Sequence, residues 1–185
     1  MITLRYTLIA TPVGSMLAVA SPAGLCALEF DGREYLERSR ESLARRYPSM
    51  DFRREPARDP RSTLGKTRAW LARYFEGRLD DGRELPLDLG GSSWEASVWA
   101  ALLEIPAGSV DTYGALARRL GRPNAARAVG LAVGHNPVAI VVPCHRVVGS
   151  NGSLTGFGGG LPRKRWLLAH ERAAVGGEVE LALDL

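Results

Sequence analysis

The stretch DTYGALARRLGRPNAARAVGLAVG, running from Asp111 to Gly134, decides how this chain is read. Asp111 or Thr112 stands where a helix N-cap belongs, and Tyr113, Leu116, Ala117 and Leu120 then share one face at helical spacing. Gly121 supplies the stop. After Arg122, Pro123 suits the first turn of a second helix that runs on through NAARAVGLAVG. Two short helices around a tight connection are the sequence form of a helix-turn-helix. On form alone any αα-hairpin would read the same way.

The second helix says more. At about 100° per residue, Ala125, Ala128, Val129 and Ala132 form a thin apolar face that packs inward. Ala126, Gly130 and Gly134 cluster on another side, with Arg127 beside them. Alanine and glycine make a poor core and lose helix propensity at each glycine. They do let something bulky approach the backbone. Close helix packing is one reading; a helix pressed into a nucleic-acid groove, with Arg127 as its long projecting side chain, is the other.

Working outward, Ser92-Ser93-Trp94-Glu95 has capping-box form, with Trp94, Val98, Leu102 and Ile105 near one face until Pro106. The N-terminal half has a different texture. Strand-like runs at Ile2–Ile9, Met16–Ala20 and Leu25–Phe30 are separated by the turn signals TPVG and SPAG. An arginine-rich helix is predicted over Glu34–Tyr47. The irregular PSMDFRREPARDPRS follows, then a second helix over Thr63–Phe75 with Leu64, Leu71 and Phe75 at helical spacing. EGRLDDGRELPLDLGG reads as a linker or edge strand ending in Gly90 and Gly91. The pattern predicts an α+β, two-domain chain. Residues 1–90 form an N-terminal α/β domain with a small antiparallel-containing sheet; 91–172 form a mostly helical domain with the helix-turn-helix; 173–185 are a tail.

The 185 residues suffice for a real core, and the 45% hydrophobic and 24% charged content is that of a soluble globular protein. A net charge of +4 permits an anionic partner without establishing one. The N-terminal MITLRYTLIATPVGSMLAVAS has an early Arg5 and an Ala18-Val19-Ala20 that mimic a secretion signal, but Thr7, Thr11, Pro12, Gly14 and Ser15 interrupt it, and two short strands explain it better. No apolar run approaches the roughly 20 residues a spanning helix needs. The two cysteines, Cys26 and Cys144, sit in unlike contexts, which fits a reducing compartment better than a disulfide.

Cys144 stands between Pro143 and His145 in VVPCHRVVGSNGSLTGFGGG. A free thiol with a pKa near 8.5 is mostly protonated at neutrality, and an imidazole that takes its proton makes it a nucleophile. Neighbours on an extended strand point to opposite faces, so His145 needs a tight turn or a bridging water to serve Cys144. A base also needs an orienting group. The last helix, over Pro162–Arg172, offers Glu171 near an apolar face that carries Leu167 and Leu168, where a carboxylate needs a partner.

NPVAIVVPCHRVVG, preceded by AARAVGLAVGHNP and followed by GSLTGFGGGLPRKRWLLAHE, resembles the O6-alkylguanine-DNA alkyltransferases in order and spacing from Trp94 to Glu171. The resemblance implies that Cys144 attacks the O6-alkyl carbon of damaged guanine, with His145 taking the thiol proton through water and Glu171 orienting it. It implies that Asn136 braces the turn between recognition helix and active-site segment. Tyr113 would rotate the nucleotide and donate to guanine N3, and Arg127 would fill the space left in the duplex, with Ala126 and Gly130 on the contacting surface. The Val147 carbonyl would accept from the guanine amine, the backbone near Gly158 would donate to O6, and Phe157 and Gly159 would complete the pocket. Base extrusion costs a few kcal/mol, which Arg127 would offset. The glycine run Gly156, Gly158, Gly159 and Gly160 would line a base pocket with backbone. The thioether is not reversed by thiol exchange, so the protein acts once.

The implied partner is double-stranded DNA carrying O6-alkylguanine, read through the minor groove with little sequence specificity. The implied protein is cytoplasmic, nucleoid-associated when on DNA, and a monomer in solution, with cooperativity on DNA left open. No cofactor is implied. With Cys26 the only cysteine of the first half, a cysteine-rich zinc site cannot be built there. Phe157 stands where many relatives carry Tyr, and Trp94-Glu95 replaces the commoner Phe-Gln. A lesion-binding module without transfer would lack Cys144. A papain-type hydrolase would need a remote histidine, and His135 and His170 lie in other contexts.

Overall fold

The computed structural model describes residues 1–30 and 33–177. The chain is α+β and forms two compact units: Met1–Glu76 with Gly82–Gly90 and Pro137–Ala139, and Gly77–Asp81 with Gly91–Asn136 and the described residues from Ile140 on.

In the first unit, strands β1 (Ile2–Ile9), β2 (Met16–Ala20) and β3 (Leu25–Phe30) lie where alternation and turn residues place them. Helix α1 (Arg33–Arg46) then returns the chain to β4 (Met50–Arg54). The sheet order is β3-β2-β1-β4, antiparallel except that β4 runs parallel to β1, pairing Ile2 with Met50 and Tyr6 with Arg54. The sheet is therefore mixed, and β4 corrects the irregular segment expected there. Its Asp51, Arg53 and Arg54 carry no strand signature, since charged side chains suit a sheet edge for reasons that pairing alone reveals. β3 is also paired on its other side: Leu25 donates to Pro86 O at 2.7 Å and Leu28 to Pro137 O at 2.9 Å. The linker thus contributes a bridge at Leu87, and Val138 supplies another. Ser21, Arg46 and Tyr47 all donate to the Asp88 carboxylate, which fastens this segment.

Leu4, Val19, Cys26, Ala27 and Leu43 form a core cluster flanked by Tyr47 and Met50. Helix α2 (Thr63–Phe75), capped by Ser62, packs on β1, β2 and β3 through Leu64, Trp70, Leu71 and Tyr74. Phe75, expected on that face, is only half-buried and instead meets Tyr74 edge-on.

In the second unit, Ser92 accepts from the backbone of Glu95 while the Glu95 carboxylate accepts from Ser92, so α3 (Ser93–Leu103) starts with the expected capping box. Trp99 is buried with Val98 and Leu102, whereas Trp94 is only half-buried. Strand β5 (Asp111–Thr112) leads into α4 (Tyr113–Arg119), which Thr112 caps, and Gly121 at φ 72° ends that segment. Helix α5 spans Ala126–Gly134, so Pro123 lies in the preceding turn rather than in the helix; Ala125 donates there to Arg122 O at 2.9 Å. The buried face of α5 is Val129, Ala132 and Val133, while Ala128 is exposed. Val133 takes an inward position and Ala128 an outward one, because valine buries more apolar surface than alanine. A 3₁₀ turn (Cys144–Arg146), β6 (Val147–Val148, parallel to β5) and α6 (Leu161–Ala174) follow. Ala173 and Ala174 belong to α6 rather than to a tail, and 178–185 lie outside the described residues.

Candidate active site

Pro143, at φ −83° and ψ 62°, makes an inverse γ-turn in which the Cys144 amide donates to Val142 O at 2.8 Å. The 3₁₀ turn follows at once. Successive side chains in such a turn stand about 120° apart instead of on opposite faces. This is the tight turn that a Cys-His dipeptide requires, and both side chains end up inside, Cys144 at 8% exposure and His145 at 0%.

The side-chain amide of Asn136 donates to Val142 O at 2.8 Å, one residue before that γ-turn. Asn136 is itself buried and closes the C-terminal end of α5, so one hydrogen bond ties the helix end to the segment that carries Cys144. Ile140, between them, is the one non-glycine residue at positive φ among the described residues, at 70°. A β-branched residue resists that conformation, which its near-complete burial enforces.

Glu171 reaches the same place from α6. Its Oε1 accepts from His145 Nε2 at 2.8 Å and from Arg146 Nη2 at 2.8 Å, while Oε2 accepts from Arg146 Nε at 2.9 Å and from the Gly108 amide at 3.2 Å. Burial alone would raise the Glu171 pKa; His145 and Arg146 together hold it well below the usual carboxylate range. The carboxylate therefore accepts from Nε2–H, and Nδ1 is left as the basic nitrogen. That Nδ1 is buried and has no protein partner. Burial holds the imidazole pKa below 6.5, against the pull of Glu171 and with the push of Arg146 and Lys164, so His145 is neutral and able to accept a proton.

Tyr113 opens α4 beside β6, since Asp111 and Thr112 pair with Val147 and Val148. Its hydroxyl donates to Thr155 O at 3.4 Å, and burial pushes its pKa up. A Cβ on Gly130 would stand 3.8 Å from the Tyr113 ring, and one on Gly156 3.8 Å from its hydroxyl. Tyr113 thus joins α5 to the glycine loop. Phe157 meets His145 edge-on at 6.5 Å between ring centres. Gly159 is buried and its carbonyl accepts from Arg163, whereas Gly158 is exposed. Arg127 is exposed on α5 and Ala126 half-buried. His135 pairs with Glu95, and His170 stacks on Trp166, which leaves His145 as the histidine beside the thiol. Among the described residues no cluster of His, Cys, Asp or Glu could hold a metal ion.

Two family models divide the chain. The ribonuclease-like domain of 6-O-methylguanine DNA methyltransferase matches residues 4–89, and the DNA binding domain of the same family matches residues 93–173. The chain belongs to this family. It is 44% identical over 172 residues to a methylated-DNA–protein-cysteine methyltransferase of Shigella flexneri, covering 92% of this chain and 97% of that one. A counterpart from Mycolicibacterium paratuberculosis is 46% identical over 159 residues, covering 83% and 90%. Among solved structures, the O6-methylguanine methyltransferase of Mycobacterium tuberculosis superposes with a TM-score of 0.73 at 37% identity, covering 92% of this chain and 94% of that one. Mycobacterium tuberculosis OGT in complex with DNA gives 0.74 at 36% identity, covering 93% and 94%.

Sequence reasoning gave no role to two residues of this site. Arg146 is one, although it stands inside the Cys-His-Arg motif. Lys164 is the other: fully buried, it donates to Val147 O at 2.5 Å and Thr155 O at 2.6 Å. Its signal was available, because Lys164, Leu167, Leu168 and Glu171 fall at i, i+3, i+4 and i+7 on one helix face. Burial lowers the Lys164 pKa to about 8, while the charge of Cys144 pulls it up. The Val147 carbonyl, expected to receive a guanine amine, already carries this ammonium and keeps a second lone pair.

Proposed function

We propose that Cys144 takes the alkyl group from O6 of an alkylated guanine in DNA, in a protein that works as a methylated-DNA–protein-cysteine methyltransferase and repairs the base directly. The observation that carries this is the buried thiol next to an imidazole whose Nε2 is held by Glu171 and whose Nδ1 is left without a partner. In this reading the thiol proton passes to Nδ1 through water. The sulfur attacks the alkyl carbon from behind, the C–O bond breaks as the C–S bond forms, and the electron pair leaves with guanine. Tyr113 donates its proton to guanine N3 to neutralise the departing base, which accounts for a phenol kept protonated by burial.

The target atom is out of reach in a stacked duplex, so the nucleotide is extruded. Arg127, exposed on α5, occupies the gap, and the surface of Ala126 and Gly130 brings the helix backbone close to the minor groove with little regard for sequence. Val147, Phe157, Gly158 and Gly159 line the base pocket. Residues 91–172 thus carry recognition and chemistry, with 1–90 as a separate domain. The protein acts on DNA in the cytoplasm as a monomer. No helix among the described residues is long and apolar enough to cross a membrane.

Intact-protein mass after incubation with a duplex bearing one O6-methylguanine tests the reading. One added methyl group per chain, absent in Cys144→Ala, is expected. Tight binding of the damaged duplex without any mass gain would make the protein a lesion reader instead.

A further inference from the structure

Helix α5 is a weak helix by its own means. It has nine residues, below the length at which isolated helices hold, and it contains Gly130 and ends on Gly134. Its N-cap, Ala125, offers no side-chain hydrogen bond. The neighbouring α3 is strongly started by its capping box. Three polar contacts pass from α3 to α5. Trp99 Nε1 donates to Ala132 O at 2.8 Å from the core. At the surface, Trp94 Nε1 donates to Ala128 O over a long 3.4 Å, and Glu95 Oε1 pairs with His135 Nδ1 at 2.8 Å. The other oxygen of the same carboxylate serves the capping box, accepting from the Ser92 amide at 2.7 Å. His135 is the C-cap of α5, where the helix end favours a donor or positive charge. Before the helix begins, Arg122 lies over the Trp94 ring at 4.7 Å.

We infer that Trp94 and Glu95 are positioning residues that strap the recognition helix at both ends, and that they set affinity for duplex DNA rather than the chemistry at Cys144. The inference rests on the reading of α5 as the DNA-contacting helix. Its substance lies in the indole N–H of Trp94 and the two carboxylate oxygens of Glu95, which reach α5 and its cap. A phenylalanine has no N–H to offer Ala128, and a glutamine, with one acceptor oxygen, cannot accept from both the Ser92 amide and His135 Nδ1. Hydrogen bonds from Ser92 hold the Glu95 carboxyl below its ordinary value, so the strap keeps its negative charge near neutrality. The carbonyls of Ala128 and Ala132 each have a second lone pair, so the indoles bind without displacing the helix's own bonds. A helix pre-ordered in this way loses less entropy on binding.

The test compares wild type with Trp94→Phe, Glu95→Gln and the double variant. The measurements are equilibrium binding to an undamaged duplex at fixed salt and the rate of reaction with free O6-benzylguanine, which needs no duplex. The single variants should each weaken duplex binding by about threefold to tenfold. The double should lose less than the product of the two, because both act on one helix. Free-base reactivity should stay within about twofold throughout, with an unchanged salt slope since no phosphate contact is lost. Unaltered duplex binding in the double variant would overturn the inference, as would a fall in free-base reactivity in step with binding. If wild type itself failed to bind the duplex, the reading of α5 would fall first, which separates the two failures.

Discussion

Lys164 and Glu171 lie two turns apart on the buried face of α6, oppositely charged and both at 0% exposure. They do not pair; two helical turns separate them by about 10 Å along the axis. Lys164 instead binds the Val147 and Thr155 carbonyls, and Glu171 binds His145, Arg146 and Gly108. A buried charge is tolerated only when its hydrogen-bonding capacity is used, so each anchors the segment it touches. One helix face therefore fixes both the His145 imidazole and the strand after it.

Glu171→Gln should injure stability and chemistry together. The carboxamide keeps the shape but turns an acceptor into a donor facing Arg146 or the His145 N–H. Loss of about 3–5 kcal/mol is expected in urea denaturation, as for one partner removed from a buried pair. The single-turnover transfer rate should fall roughly 100-fold or more, since His145 loses its orienting acceptor.

Lys164→Met preserves length and removes the ammonium. Each stranded carbonyl costs about 1–3 kcal/mol. Amide hydrogen exchange should accelerate from Val147 through Gly160, the segment that Lys164 holds at Val147 and Thr155, while the N-terminal sheet stays protected. Unchanged exchange there would mean that Lys164 is not the clamp.

Acid should weaken the fold in a defined order. His145 has its folded pKa below 6.5 and Glu171 below 4.5, so on acidification the unfolded chain takes up protons that the native one refuses. Stability therefore rises with pH wherever these groups differ, and it is lost first below about 6.5 through His145, then below about 4.5 through Glu171. Urea midpoints between pH 4 and 8 check this. His145→Asn should flatten the upper part of the curve and also make the lower part shallower, since His145 helps hold the Glu171 pKa down.

Gly130→Ala separates the two readings of the alanine–glycine surface. A Cβ there meets only the Tyr113 ring at an ordinary 3.8 Å, so the fold should gain about 0.5–1 kcal/mol of helix propensity. If α5 enters a groove at this point, duplex affinity should fall several-fold in the stabilised protein. Higher stability with unchanged affinity would assign the surface to packing alone.

Local chemistry determined much of this protein. The first three strands, α2 and the Ser92 capping box follow from alternation, turn residues and caps acting over a few positions, and they appear where such short-range terms place them. Around Cys144 the sequence showed a thiol beside an imidazole, and the helical spacing of the last helix separately offered Glu171 as a carboxylate in need of a partner. What lay beyond reach depended on partners distant in sequence. β4 exists because β1 pairs with it, and its own charged residues say nothing of that. Val133 joins Val129 and Ala132 on the inward face of α5 while Ala128 turns outward, because the neighbouring helices offered room for it. Lys164 looked like a surface lysine until the carbonyls of Val147 and Thr155 closed over it. Only the tertiary structure decided that Cys144 and His145 are both buried: a γ-turn braced by Asn136, 3₁₀ geometry and the carboxylate of Glu171 together overrule the alternation of an extended chain.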